Sequence, residues 1–186
     1  RRPPAVILVS IDTLRADHLG CYGYAAARTP AIDRLAAEGV LFEETTAQAN
    51  TTGPSHTTQL TGLYPIEHGA LANGRPIAAD VPALPSLLGA ARWDTAAFVS
   101  GFTLVNEACG LAGRFDHYDD NQLAWQWLPQ AAEEIEALNR IVFRLAGRFG
   151  TRVQRSDRPA ARTVDAALAW LDARAGRPNP FYLFLH

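Results

Sequence analysis

The chain has 186 residues, 17 basic and 19 acidic, giving a formal net charge of −2 at pH 7. This length accommodates one α/β domain with a real core rather than two ordinary domains, and the charge balance excludes the basic excess of a nucleic-acid binder. Two cysteines, Cys21 and Cys109, make neither a disulfide framework nor a C-x-x-C metal spacing, and no stretch approaches the roughly 20 apolar residues of a membrane span.

Ala5 to Ser10 is a continuous β-branched apolar run, which predicts a strand buried on both faces of a parallel sheet. Asp12 follows directly at its C-terminal end. Ligands of open parallel sheets bind beyond the carboxyl ends of the strands, so this carboxylate is a candidate by position. Asp17 and His18 fall in a short polar turn after Arg15 and are expected to be solvated or structural. Thr29-Pro30 opens a helix that Gly39 ends, with Ile32 and Leu35 on one face. Val40 to Gln48 is expected to be a strand.

That strand leads into Asn50-Thr51-Thr52-Gly53-Pro54-Ser55-His56-Thr57-Thr58. Pro54 suits the first helical position, which makes Gly53 the N-cap and leaves Thr52 one residue outside. The open N–H groups of Ser55 and His56, with the helix dipole, favour an anion in front of the Thr52 hydroxyl. A hydroxyl so placed can attack a phosphate or sulfate ester once its pKa is lowered, and a bound divalent cation can do that. Thr51 and Ser55 stand as alternative nucleophiles, and capping alone is the structural alternative.

Beyond it, His68 is expected to pack or hold the loop, and Asn73-Gly74 reads as a turn. Leu84 to Arg92 predicts a helix and Asp94 to Ser100 a second buried strand. Gln130 to Phe149 is amphipathic, with Arg140, Arg144, Arg148 and Arg152 forming a solvated stripe. Ala160 to Ala175 predicts a helix with Val164, Leu168 and Leu171 inward, and Phe181 to Leu185 a third buried strand. The alternation predicts an α/β fold with a mainly parallel sheet and helices on both faces.

The segments at 5–24, 50–74 and 160–186 resemble the sulfatase-like domains of the alkaline phosphatase superfamily. In Ile11-Asp12-Thr13-Leu14-Arg15-Ala16-Asp17-His18-Leu19-Gly20, Asp12 matches the family's first metal ligand, while Thr13 replaces the second Asp of many sulfatases. Thr52-Gly53-Pro54-Ser55-His56 resembles the nucleophile segment in its Thr-x-Pro-Asn/Ser-His form. The resemblance implies Thr52 as nucleophile and metal ligand, with His56 and Asn73 on the substrate side. It leaves no Cys at that position for conversion to formylglycine. Val99-Ser100-Gly101-Phe102 departs from the Gly-Lys-Trp-His of arylsulfatases, and Phe115 to Asp120 matches an ordinary strand and turn of the family.

The expected activity is metal-dependent hydrolysis of a sulfate or phosphate ester, with zinc or manganese favoured and calcium as the alternative. The competing readings are a phosphoethanolamine- or phosphoglycerol-type transferase and a non-catalytic homologue. The expected partner is a small-molecule, glycan or lipid ester and not nucleic acid. An exported, periplasmic or membrane-anchored location is favoured over the cytoplasm. With no Met and a break directly after the Phe181 run, residues 1–186 are expected to be the N-terminal portion of one catalytic domain, truncated on its C-terminal side.

Overall fold

Among the described residues four strands, all pairing in parallel, form one sheet in the order β1-β4-β2-β3: β1 (Ala5–Val9), β2 (Asp94–Phe98), β3 (His117–Asp119) and β4 (Phe181–Leu185). The computed structural model describes residues 4–121 and 158–186. The described α-helices are α1 (Pro30–Glu38), α2 (Thr52–Thr61), α3 (Pro65–His68), α4 (Leu84–Ala90), α5 (Asn106–Cys109) and α6 (Ala160–Ala173). None of them is long and apolar enough to cross a membrane.

Strand alternation divides the core between the two faces of the sheet. Ala97, Val99, Tyr182 and Phe184 pack with Leu60 of α2, Cys109 of α5, Ile77, Leu104 and Leu111. On the opposite face Ala96, Phe98 and Leu183 pack with Ala167 of α6, joined by Trp170 and Leu171. Helices thus cover both faces, as an α/β fold requires. Leu60 has no exposed surface and seats α2 against the sheet. Leu60→Ala is expected to lower unfolding stability by about 2–5 kcal/mol, measured by denaturant titration.

Several elements differ from the sequence expectation. β1 pairs only with β4 among the described residues, and Val6, Ile7 and Val9 are 44%, 51% and 55% exposed. An apolar β-branched run is selected by central and edge strands alike, so the run alone does not tell them apart. Val40 to Gln48 forms no strand, and Val40 and Phe42 are exposed. Its β-branched and aromatic residues find no sheet partner among the described residues, and propensity without pairing does not make a strand.

Helix α6 turns Thr163, Ala167, Trp170 and Leu171 toward the sheet, leaving Val164 and Leu168 exposed. The aromatic contacts decide this: Trp170 meets Phe181 and Phe98 edge-on at ring distances of 5.9 and 6.4 Å. The amphipathic run from Gln130 to Phe149 and its Arg stripe lie outside the described residues. Cys109 is buried, Cys21 is half-buried, and both are free thiols.

Candidate active site

In the ladder register Val9 stands beside Leu185, and Leu185 beside Phe98. Three parallel strands therefore end at one level, and the residues that follow them gather on one edge of the sheet. These are Ser10 to Asp12 after β1, Val99 to Gly101 after β2, and His186 after β4. The amino end of α2 faces the same edge. There the Thr52 hydroxyl donates to Asp12 Oδ2 at 3.0 Å. The Asp12 side chain is 39% exposed, and His186 Nε2 lies 3.9 Å from the same carboxylate oxygen.

His56 sits one helical turn after Thr52 and is buried. Its Nδ1 donates to the Thr52 carbonyl at 2.7 Å, and Ser10 Oγ lies 2.7 Å from Nε2. Burial pushes its pKa below the ordinary 6.5, against the raising effects of the Thr52 carbonyl and of Asp12. The His186 ring meets it edge-on, with centroids 4.6 Å apart. His186 is anchored by its backbone, donating to Phe98 O and accepting from Ser100 N–H, both at 2.9 Å. A Cβ on Gly101 would lie 3.0 Å from His186 Cε1, so glycine makes room for the imidazole.

Helix α2 begins earlier than the sequence suggests. Thr51 is the N-cap, with extended backbone, and Thr52 is the first helical residue. The Ser55 N–H is consequently engaged by Thr51 O at 3.1 Å rather than open to an anion. The Gly53 N–H donates to Asn73 Oδ1 at 2.7 Å. A Cβ on Gly53 would meet that same oxygen at 3.1 Å, so a residue without one lets the Asn73 loop close on the helix start. With its oxygen occupied, Asn73 keeps its amide N–H groups for another acceptor.

His68 is buried, accepts from Ala70 N–H at Nδ1 and faces Thr58 Oγ1 from Nε2, both at 3.1 Å. It ties α3 to α2, and burial holds its pKa below the ordinary value. Asp116 binds the Thr95 backbone and hydroxyl and so joins β2 to β3, while Asp119 pairs at 2.6 Å with Arg158, just ahead of α6. Asp17 pairs with Arg15 at the surface.

Comparison with known proteins agrees with this architecture. A family described as Sulfatase matches residues 4–186. The chain belongs to the sulfatase family. It is 46% identical over 74 residues to steryl-sulfatase of Mus musculus, covering 40% of this chain and 12% of that protein. It is 32% identical over 115 residues to N-acetylglucosamine-6-O-sulfatase of Bacteroides thetaiotaomicron, covering 62% of this chain and 20% of the relative. The phosphonate monoester hydrolase of Agrobacterium radiobacter shares the fold, with a TM-score of 0.66 at 21% identity over 100% of this chain and 41% of that one. The chain thus spans between an eighth and a fifth of the length of these curated relatives.

Sulfatase-family membership implies a divalent cation, and the donors at this edge fit one. An Asp12 carboxylate oxygen and the Thr52 oxygen are hard donors converging from two rigid elements, the type such cations take. They supply part of a ligand set, since no group of three His, Cys, Asp or Glu among the described residues could hold a metal.

Two features of this sulfatase-family site escaped the sequence. Ser10 lies behind Thr52 through His56; strand alternation from Leu8 could have signalled its face of the sheet but not its partner. Thr13, next to Asp12, has φ of 58°, a left-handed backbone that a β-branched residue adopts only under strain. Thr13→Asn is expected to raise stability by about 1 kcal/mol, read from the denaturation midpoint, because Asn tolerates this region better. An unchanged or lower midpoint would show that the Thr13 side chain contributes more than its strain.

Proposed function

We propose that the full-length protein carrying this chain hydrolyses a sulfate or phosphate ester, with Thr52 as nucleophile and Asp12 as ligand of a divalent cation. The observation that carries this reading is the 3.0 Å contact from the Thr52 hydroxyl to Asp12, at the strand-end edge of a sulfatase-family sheet. A divalent cation at this pair, zinc or manganese by preference and calcium as the alternative, would lower the hydroxyl pKa and offset charge on the ester oxygens.

The chain's own residues supply the rest. Asp12 orients the Thr52 hydroxyl and draws its proton away as the oxygen attacks sulfur or phosphorus. The new Thr52 Oγ–S or Oγ–P bond forms as the ester bond breaks, the alcohol leaves with a proton from solvent, and Asp12 releases the Thr52 proton to solvent. Water then cleaves the threonine ester and returns Thr52 to its starting state. The Asn73 amide, fixed by Gly53, is the donor for a non-bridging oxygen, where developing charge needs one. His56 has its ring nitrogens engaged by Ser10 and Thr52, so its contribution on the substrate side is to hold the start of α2. Sulfate esters of sterols or amino sugars are the substrate classes that the named relatives support.

The test is turnover of an aryl sulfate, an aryl phosphate monoester and an aryl phosphodiester by the full-length protein, with zinc, manganese or calcium added and after chelation. Ester hydrolysis lost on chelation and restored by one metal is the expected result. Turnover that survives chelation overturns the metal assignment. No hydrolysis of any ester under any metal turns the reading toward a transferase or a non-catalytic homologue.

A further inference from the structure

Ser10 stands one residue beyond β1, and its N–H continues the ladder by donating to Leu185 O at 2.8 Å. Strand alternation puts its side chain on the face of Leu8, the face that packs with Leu60 of α2. There Ser10 Oγ meets His56 Nε2 at 2.7 Å, while His56 Nδ1 meets the Thr52 carbonyl at 2.7 Å. A carbonyl only accepts, so Nδ1 carries the proton. The neutral ring then offers Nε2 as an acceptor, and the Ser10 hydroxyl donates to it.

We propose that Ser10 is a positioning residue for Thr52, acting through His56; this rests on the reading of Thr52 as nucleophile. Two cross-links join the end of β1 to the start of α2. One is the Asp12–Thr52 contact at 3.0 Å, between the groups that react. The other is the Ser10–His56–Thr52 chain behind it, which grips the nucleophile by its backbone. Asp12 lies two residues from Ser10, and His56 one turn from Thr52, so both links act on the same pair of rigid elements. His56 is only 4% exposed, and the rings of His186 and Phe184, at 4.6 and 6.1 Å, wall it in. The imidazole therefore transmits the position of Ser10 rather than swinging away from it. A misplacement of about 1 Å at a nucleophile is enough to slow attack on the order of a hundredfold.

The test uses the full-length protein and whichever aryl ester the wild type turns over, with kcat normalised to folded protein well below the melting temperature of each variant. Ser10→Ala is expected to lower kcat about ten- to a hundredfold with KM within about threefold, because positioning acts on the attack and not on ester binding. Ser10→Thr keeps the hydroxyl and is expected to restore kcat to within about fivefold of wild type. Should Ser10→Ala not fold, Ser10→Cys, of similar volume and weaker donor strength, decides by an intermediate kcat. Loss explained wholly by unfolded protein, kcat of Ser10→Ala within about twofold of wild type, or no rescue by Ser10→Thr overturns the proposal. Thr52→Ala run alongside separates the failures: if it abolishes turnover while Ser10→Ala does nothing, only the positioning role falls. Retained turnover in Thr52→Ala overturns the nucleophile reading, and this proposal with it.

Discussion

Thr52→Ala in the full-length protein is expected to lower kcat for its ester substrate by roughly a thousandfold or more, with KM little changed. Among the described residues the Thr52 hydroxyl has one hydrogen-bond partner, Asp12, and its side chain is only half-buried at the helix start. Removing it therefore deletes the attacking atom without opening a cavity in the core. The melting temperature should stay near that of the wild type, as for substitutions outside buried networks. Thr52→Ser keeps the oxygen and should retain activity within roughly a hundredfold. Thr51→Ala and Ser55→Ala set the comparison. The Thr51 side chain makes no capping bond, and the Ser55 N–H is satisfied by Thr51 O. Neither variant should approach the loss in Thr52→Ala, and steady-state kinetics on the four proteins decides.

Asp12→Asn is expected to lower kcat by at least about a hundredfold and to raise the metal concentration needed for half-maximal activity. The substitution keeps the shape of the side chain and an oxygen that can still accept from Thr52. What it removes is the negative charge, which a divalent cation needs and which draws the proton from the attacking hydroxyl. Because the side chain is 39% exposed, its neutralisation should leave folding stability nearly unchanged. A variant with wild-type kcat and metal response would remove Asp12 from the site. One that unfolds would recast it as a structural residue.

The positions of both residues, at a strand end and at a helix start, were legible in the sequence for different reasons. Asp12 follows a run of apolar β-branched residues that can hardly be anything but a strand, so its place at a strand end was a matter of position. Thr52 was legible through Pro54, which marks a helix start, although the helix opens two residues earlier with Thr51 as N-cap. The proline constrains its own φ and does not fix how many residues precede it in helical geometry. That small shift matters chemically: the Ser55 N–H is engaged by Thr51 O, so the proposed donor to an anion is the Asn73 amide instead.

The less legible parts depend on partners far away in the chain. Whether β1 lies at an edge, or whether Val40 to Gln48 is paired, is decided by other strands and not by local composition. The face that α6 turns to the sheet is set by Trp170 against Phe181 and against Phe98, the latter on a strand distant in the chain. The Ser10–His56 bond joins residues 46 positions apart. No spacing rule connects a serine at a strand end with a histidine inside a helix. The strain at Thr13 is equally silent in sequence, since a β-branched residue predicts extended backbone and not the φ of 58° found.

The most direct test of the account is to quench the full-length protein in acid during turnover and to locate any covalent adduct by peptide mass spectrometry. A sulfuryl or phosphoryl group on Thr52, derived from substrate and absent when substrate is omitted, is the predicted result. The same group on Thr51, Ser55 or Ser10, with Thr52 unmodified, would contradict it.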